Sequence, residues 1–191
     1  MKRLYYLCLV SLVVGTLHAA QITMADLPYF FDFEDQTEMS NWKLNKEAAT
    51  ANKWHVGAYD AYTGQYSMYV SCDSGKTNTY TGTSNIVVAC RPIRLDAGEY
   101  DIAFDYKGEG NGNNGFLKIF LTNRPENQIK CLASFSEPTW YSSTVNCLNK
   151  IQKLNGATKW LHYQDKFTFP AAYDNKNMFL VLAWENNSSK V

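Results

Sequence analysis

The chain has 191 residues, of which 46% are hydrophobic, 15% aromatic and only 19% charged, with equal numbers of acidic and basic side chains. This length and apolar content allow one domain with a sizeable core, and they are too small for two comfortable ones. The balanced charge, without a basic run, excludes an obvious surface for nucleic acid or an anionic membrane. The many tyrosines and phenylalanines favour strands over helices.

The first twenty residues predict a signal peptide. Lys2 and Arg3 form a basic start, residues 4–14 form an apolar run, and Ala19 and Ala20 form a small-residue end. The apolar run is shorter than the about 20 residues that a membrane-spanning helix needs. We therefore expect cleavage after Ala19 or Ala20, a secreted or cell-surface location and no membrane insertion after cleavage, with an uncleaved anchor as the alternative. Loss of Lys2 and Arg3 leaves 16 basic and 18 acidic residues, a net charge of −2.

Four cysteines follow the predicted cleavage point, namely Cys72, Cys90, Cys131 and Cys147. An even number of cysteines in an oxidising compartment predicts disulfides. The favoured pairing is Cys72–Cys90 and Cys131–Cys147, because each pair ends runs that could be neighbouring strands. The alternative is that some stay reduced as small core residues. The spacings do not fit a zinc site.

Short strands are predicted along the first half of the mature chain. Alternating residues or apolar runs bounded by turn residues mark the segments 28–35, 41–44, 53–56 and 64–71. Residues 72–83 are rich in Asp, Ser, Gly, Thr and Asn and predict a loop.

Residues 86–121 give the clearest strand signal. From Tyr100 to Tyr106, aromatic and aliphatic residues alternate with small or charged ones. This period of two predicts a half-buried strand with Ile102 and Phe104 facing the core. Turn-forming residues before Tyr100 and a glycine-rich stretch at 108–115 separate this strand from its neighbours.

The last third of the chain is more mixed. Residues 129–135 and 166–169 predict strands. Within residues 140–159, an apolar residue recurs at every third position from Val145 to Leu154, which fits either a short helix ending at Gly156 or an irregular loop. Residues 178–184 are apolar at both parities, as in a central sandwich strand. Together the pattern predicts an all-β fold over residues 21–191, an antiparallel β-sandwich of the jelly-roll type.

Several motifs occur in an order that resembles a known family. They are Asp32-Phe-Glu-Asp35, Asn41-Trp-Lys-Leu44, Ser67-Met-Tyr-Val-Ser71, Leu95-Asp-Ala-Gly-Glu-Tyr100 and Leu180-Val-Leu-Ala-Trp184. The set resembles the cleaved-adhesin or choice-of-anchor J (MAM-like) jelly-roll domain of secreted bacterial proteins, over most of residues 28–185. Domains of this family continue into a further strand, so we expect this chain to lack its closing strand and to be part of a larger extracellular protein.

The resemblance also implies a structural Ca²⁺ near the start of the domain. Glu34 would be the first ligand and the carbonyls around Gly64 the second group, since Ca²⁺ prefers hard oxygen ligands. In the family an acid from the closing strand completes the site, and here that acid would lie beyond Val191. The alternative is that Glu34 caps or pairs at the edge of the sandwich.

The sequence carries no catalytic signature, and we expect no enzyme. Asp101 and Asp105 share a strand face, but a solvated face explains them better than a pair of catalytic acids. There is no Gly-x-Ser-x-Gly elbow, and neither His55 nor His162 lies in a motif that would make it a base.

Aromatic residues in the turn-rich stretches are the candidate ligand-binding residues, because sugars stack on exposed aromatic faces. They are Tyr59, Tyr62, Tyr80, Trp140 and Tyr141. The alternative for each is packing over the end of the sandwich, while the strand residues Trp42, Trp54 and Trp184 are expected in the core. The sequence thus predicts a non-enzymatic recognition module, adhesin-like or carbohydrate-binding-like, for a glycan or a host extracellular protein. The alternatives are an accessory domain of a secreted protease or glycosidase, or a structural spacer.

Overall fold

A computed structural model describes residues 23–44, 50–81, 85–110, 114–124 and 154–186. Its elements are α1 (Gln36–Met39), β1 (Lys43–Leu44), β2 (Lys53–Gly57), β3 (Ser67–Ser71), β4 (Asn85–Arg94), β5 (Gly98–Gly108), β6 (Phe116–Thr122), β7 (Ala157–Phe169) and β8 (Asn177–Asn186), with a 3-10 turn at Ala171–Tyr173 between β7 and β8. The predicted all-β class is confirmed.

The strands form one four-stranded sheet and two two-stranded ribbons. The sheet has the order β1-β4-β8-β6, and the ribbons are β2–β3 and β5–β7; all these pairings are antiparallel. From β4 to β8 the chain alternates between the sheet and the β5–β7 ribbon, so consecutive strands lie in different layers. This alternation is typical of a jelly roll, and the predicted antiparallel β-sandwich is confirmed.

The core lies between the sheet and the ribbons. At one end Ile102 and Phe104 of β5 pack against a cluster that contains Met178 of β8. At the other end Trp54 of β2 packs with Trp184 of β8, and Trp42 belongs to the same cluster. The three tryptophans are buried, as the sequence predicts.

Strand β8 is apolar at both parities because both of its faces are covered. Leu180 and Leu182 pack toward the ribbons, whereas Val181 and Ala183 are buried on the opposite face with Phe120. Its two edges pair with β4 and β6. The predicted central position of this strand is confirmed.

A buried ion pair fixes helix α1 to the sheet. Asp35 caps the helix by accepting the backbone N–H groups of its first turn. The Glu38 carboxylate accepts hydrogen bonds from Arg91 Nε at 2.6 Å and Arg91 Nη2 at 3.0 Å, and it also accepts from Tyr29 Oη at 2.6 Å and Asn41 Nδ2 at 3.1 Å. Burial acts to raise the pKa of Glu38, but the hydrogen bonds from Arg91, Tyr29 and Asn41 outweigh it and hold that pKa below its ordinary value.

The predicted strand at residues 28–35 is wrong. Phe33 has a φ of 71°, in the left-handed region, which interrupts the extended backbone that a strand requires. The alternation of the sequence is still visible in the packing, because Tyr29 and Phe31 pack against the core while Phe30 is 83% exposed. The alternation at residues 28–35 therefore reflects which side chains are buried, although this segment does not pair with another strand.

Strand β7 is much longer than predicted. The sequence indicates a strand at residues 166–169 only, but β7 begins at Ala157, directly after Gly156, whose φ is 72°. An irregular loop is therefore wrong for residues 157–159, whereas the alternative helix, which is predicted to end at Gly156, does not include them. Leu154 already exchanges two backbone hydrogen bonds of 2.9 Å with Leu117 of β6.

The predicted Cys72–Cys90 disulfide is wrong in this structure, where Cys72 is a free thiol. Cys72 follows β3 and its Sγ lies 3.8 Å from Thr79 Oγ1. Cys90 belongs to the cluster on the face of the sheet that points away from the ribbons, whereas its neighbour Ala89 faces β2–β3. The two cysteines therefore lie on opposite sides of β4.

Other predictions lie outside the described residues. These are the signal peptide at residues 1–20, the strand at 129–135, the Cys131–Cys147 pair, and the candidate binding residues Trp140 and Tyr141. In the part of the chain that the structure describes, no helix is long and apolar enough to cross a membrane.

Candidate functional site

The segment between β2 and β3 presents two of the predicted binding residues to solvent. Tyr59 is 48% exposed and Tyr62 is 57% exposed. The ring of Tyr62 lies 5.9 Å from that of Trp160 on β7, and the ring of Tyr59 lies 6.1 Å from that of Tyr69 on β3. We call Tyr59, Tyr62 and Trp160 the aromatic platform.

Asp60 ties this segment to the β5–β7 ribbon. Its Oδ2 accepts a hydrogen bond of 2.7 Å from Lys107 Nζ, and its Oδ1 accepts one of 3.3 Å from Trp160 Nε1. Its backbone carbonyl accepts a hydrogen bond from Ser67 Oγ. The hydrogen bond and the negative charge of Asp60 raise the pKa of Lys107. The carboxylate of Asp60 therefore joins β5 and β7 at the platform, and its backbone carbonyl adds a link to β3.

A bulge in the β5–β7 ribbon places Trp160 beside the Asp60 segment. Tyr106 pairs with Leu161 and Gly108 with Ala157, so β7 runs four residues where β5 runs two. Extra residues in one strand bend it and change the direction of its side chains. Trp160 lies in this bulged stretch.

Tyr69 supports the other tyrosine of the platform. Its hydroxyl donates a hydrogen bond of 2.6 Å to the carbonyl of Gly75. A Cβ on Gly57 would lie 2.5 Å from the same hydroxyl oxygen, so glycine leaves the room that this ring occupies. Tyr69 is thereby fixed as the surface on which Tyr59 rests.

Tyr80 does not join the platform. Its ring packs edge-on against Trp184 at 4.8 Å, and burial, with the nearby charge of Glu109, raises its pKa. A side chain on Gly115 would overlap its hydroxyl. For Tyr80, packing over the sandwich is therefore the correct alternative.

Glu34 and Gly64 lie side by side, as the resemblance implies. Glu34 Oε1 accepts the backbone N–H groups of Gln65 at 2.6 Å and Tyr66 at 2.8 Å. Gly64 has a φ of 69°, and a side chain there would overlap this carboxylate. Among the described residues no group of three or more His, Cys, Asp or Glu could hold a metal ion. Calcium binding remains a prediction.

The acids on β5 belong to a solvated strand face. Asp101 Oδ1 lies 3.9 Å from Lys166 Nζ, and Asp105 Oδ1 lies 3.0 Å from His162 Nδ1; all four side chains are exposed. His55 is half-buried on β2, and its Nε2 is a buried atom without a hydrogen-bond partner in the described part of the protein. None of these groups forms a nucleophile–base pair with its contacts.

Trp160 and Asp60 are the residues of this site that the sequence analysis missed. Alternation from residue 160 to 169 is present in the sequence and could have extended β7 to include Trp160. No local pattern marks Asp60, because its partners lie 47 and 100 residues further along the chain.

No protein-family model matches the chain, and no curated protein matches it. Among solved structures, the chain is similar to the C-terminal family 22 carbohydrate-binding module of Clostridium thermocellum Xyn10B, with 13% identity, a TM-score of 0.47, and coverage of 85% of this chain and 86% of that one. It is also similar to the CBM22-1 xylan-binding domain of Paenibacillus barcinonensis Xyn10C, with 16% identity, a TM-score of 0.44 and 83% coverage of each chain.

Proposed function

We propose that this domain is a non-catalytic glycan-recognition module and that the aromatic platform is its contact surface. The observation that carries the proposal is the placement of Tyr62 and Trp160 side by side, with Asp60 holding both elements in place. Exposed aromatic rings offer large, rigid surfaces on which the C–H faces of sugars can stack. Binding sites of this kind combine such apolar surface with a few placed polar groups.

The wider setting is also a proposal. The signal peptide predicted at residues 1–20 and the order of the family motifs support an adhesin-like domain of the cleaved-adhesin type, exported as part of a larger extracellular protein. The Ca²⁺ of that family would need oxygen ligands beyond Glu34, since the carboxylate already accepts two backbone N–H groups.

Binding to a glycan array, followed by titration calorimetry with each glycan that binds, tests the proposal. We expect Tyr62→Ala and Trp160→Ala each to weaken binding by at least about tenfold, because truncating an aromatic residue at the centre of a contact costs about 2 kcal/mol. Phe30→Ala is the matched control, since Phe30 is 83% exposed and lies outside the platform.

Two outcomes would contradict the proposal. One is binding that Tyr62→Ala, Trp160→Ala and Phe30→Ala leave equally strong, which would place the contact elsewhere. The other is silence on the array together with binding to a host extracellular protein, or no binding at all, which would favour a protein-recognition domain or a spacer.

A further inference from the structure

The aromatic platform continues into a long polar face of the β5–β7 ribbon, which we call the outer strip. Its members alternate with the residues that pack into the core; they are Glu99, Asp101, Ala103, Asp105 and Lys107 of β5, and Trp160, His162, Gln164, Lys166 and Thr168 of β7. All except Trp160 are exposed. Since Trp160 belongs to both sets, the platform and the outer strip form one continuous surface.

The outer strip is regular over most of its length. The pairing of β5 with β7 is unbroken from Gly98 to Tyr106, and the only irregularity in the register lies between Tyr106 and Gly108, at the platform end. A strand rises about 3.3 Å per residue, so His162 and Thr168 lie about 20 Å apart. This length accommodates several consecutive sugar rings and exceeds what one terminal sugar would need.

The middle of the strip carries its smallest side chain. Ala103 pairs with Gln164 there, between the larger Asp105–His162 and Asp101–Lys166 pairs. The amide of Gln164 forms no hydrogen bond within the described residues, so it can both donate to and accept from a sugar hydroxyl.

The charges of the strip disfavour an anionic ligand. Lys107 is engaged by Asp60, and Lys166 lies next to Asp101. Glu99 adds a further negative charge and pairs with the uncharged Thr168. Sulfated or uronate chains would meet acids here, whereas hydroxyl groups can bond to carboxylates and amides alike.

We propose that the outer strip holds internal rings of a linear, neutral polysaccharide whose chain also crosses the aromatic platform. The inference rests on the proposed function and specifies its ligand: a neutral chain recognised along its length. Terminal sugars and anionic glycans are excluded by the length and the charge of the strip.

Chain-length dependence tests this inference. Calorimetry would compare cellobiose with cellohexaose, xylobiose with xylohexaose, and mannobiose with mannohexaose. In each series that binds, we expect the hexasaccharide to bind at least about tenfold more tightly than the disaccharide, as one or two added hydrogen bonds would produce. Ala103→Tyr, which places a bulky ring in the middle of the strip, and Gln164→Ala, which removes the amide, should reduce this advantage.

Ala172→Tyr is the matched control, because Ala172 is exposed in the 3-10 turn away from the strip; it should leave the advantage unchanged. Equal affinity for the disaccharide and the hexasaccharide, with binding lost in Tyr62→Ala, would contradict the role proposed for the outer strip and would still support the aromatic platform as the contact surface. An unchanged advantage in both Ala103→Tyr and Gln164→Ala, or tighter binding of hexagalacturonate than of any neutral hexasaccharide, would also overturn the strip alone. Failure of all three neutral series, together with array binding to a glycan of another kind that Tyr62→Ala abolishes, would overturn the strip alone; silence on the array as well would overturn both proposals.

Discussion

Replacing Glu38 by glutamine should destabilise the domain strongly. The Arg91 side chain is only 2% exposed, and Glu38, which is 19% exposed, supplies its carboxylate partner through a contact of 2.6 Å. Glutamine keeps the shape but removes the negative charge, and its NH₂ group would face donors from Arg91 or Asn41. Removal of one member of a buried ion pair costs about 3–5 kcal/mol. Because Glu38 is partly exposed, we expect about 3 kcal/mol, measured as the free energy of unfolding in urea at neutral pH.

The pH dependence of the same variant provides a second measure. The pKa of Glu38 is depressed in the folded state, so its contribution to stability is present above the ordinary glutamate pKa of about 4.3 and is lost as the pH falls through the folded value. The difference in stability between wild type and Glu38→Gln should therefore shrink as the pH falls below about 4. Glu99→Gln on the exposed face of β5 is the control and should change stability by less than about 0.5 kcal/mol. A loss below about 1 kcal/mol at neutral pH, or a difference that stays constant into acid, would refute the ion-pair argument.

Three further predictions concern single contacts. Gly64→Ala should lower stability by about 1–2 kcal/mol, because φ there is 69° and the new methyl group would overlap the Glu34 carboxylate; an unchanged melting temperature would contradict this. Trp54→Phe should cost about 1–3 kcal/mol in urea denaturation, since it removes the 3.0 Å hydrogen bond from Nε1 to the buried carbonyl of Val87; a neutral result would show that the bond adds nothing. Hydrogen bonds from Ser and Thr side chains hold the pKa of Asp73 below its ordinary value, so the protection of the amides in its loop, measured relative to their intrinsic exchange rates, should fall only below about pH 3.9; loss of that protection at neutral pH would be inconsistent with this assignment.

The sequence predicted the elements whose burial follows a simple period. Strand β5 was predicted from alternation, and the central position of β8 from apolar residues at both parities, because each pattern records which faces of a strand are covered. The same pattern misled at residues 28–35, where alternating burial exists but the φ of Phe33 breaks the strand. A positive φ at a phenylalanine depends on its tertiary surroundings, so it cannot be predicted from the residue type.

The candidate site was only partly predictable. Tyr59 and Tyr62 could be predicted as candidate binding residues because they lie in a turn-rich stretch. Trp160, whose ring lies beside that of Tyr62, is in the part of β7 that the sequence analysis did not predict as a strand. Tyr80 has the same kind of local setting and nevertheless packs on Trp184. The local sequence can show that an aromatic residue lies in a loop. Contacts with residues far away in the sequence determine whether its side chain is exposed to solvent.

The strand order has a consequence for folding. β4 and β6 both pair with β8, which follows the other strands that the structure describes in chain order. Until β8 is synthesised, β6 has no partner strand in this sheet and β4 has only the short β1, so the sheet closes over long sequence separations. We expect slow folding, with a window during synthesis in which chaperone binding protects the edges of β4 and β6 from association with other chains.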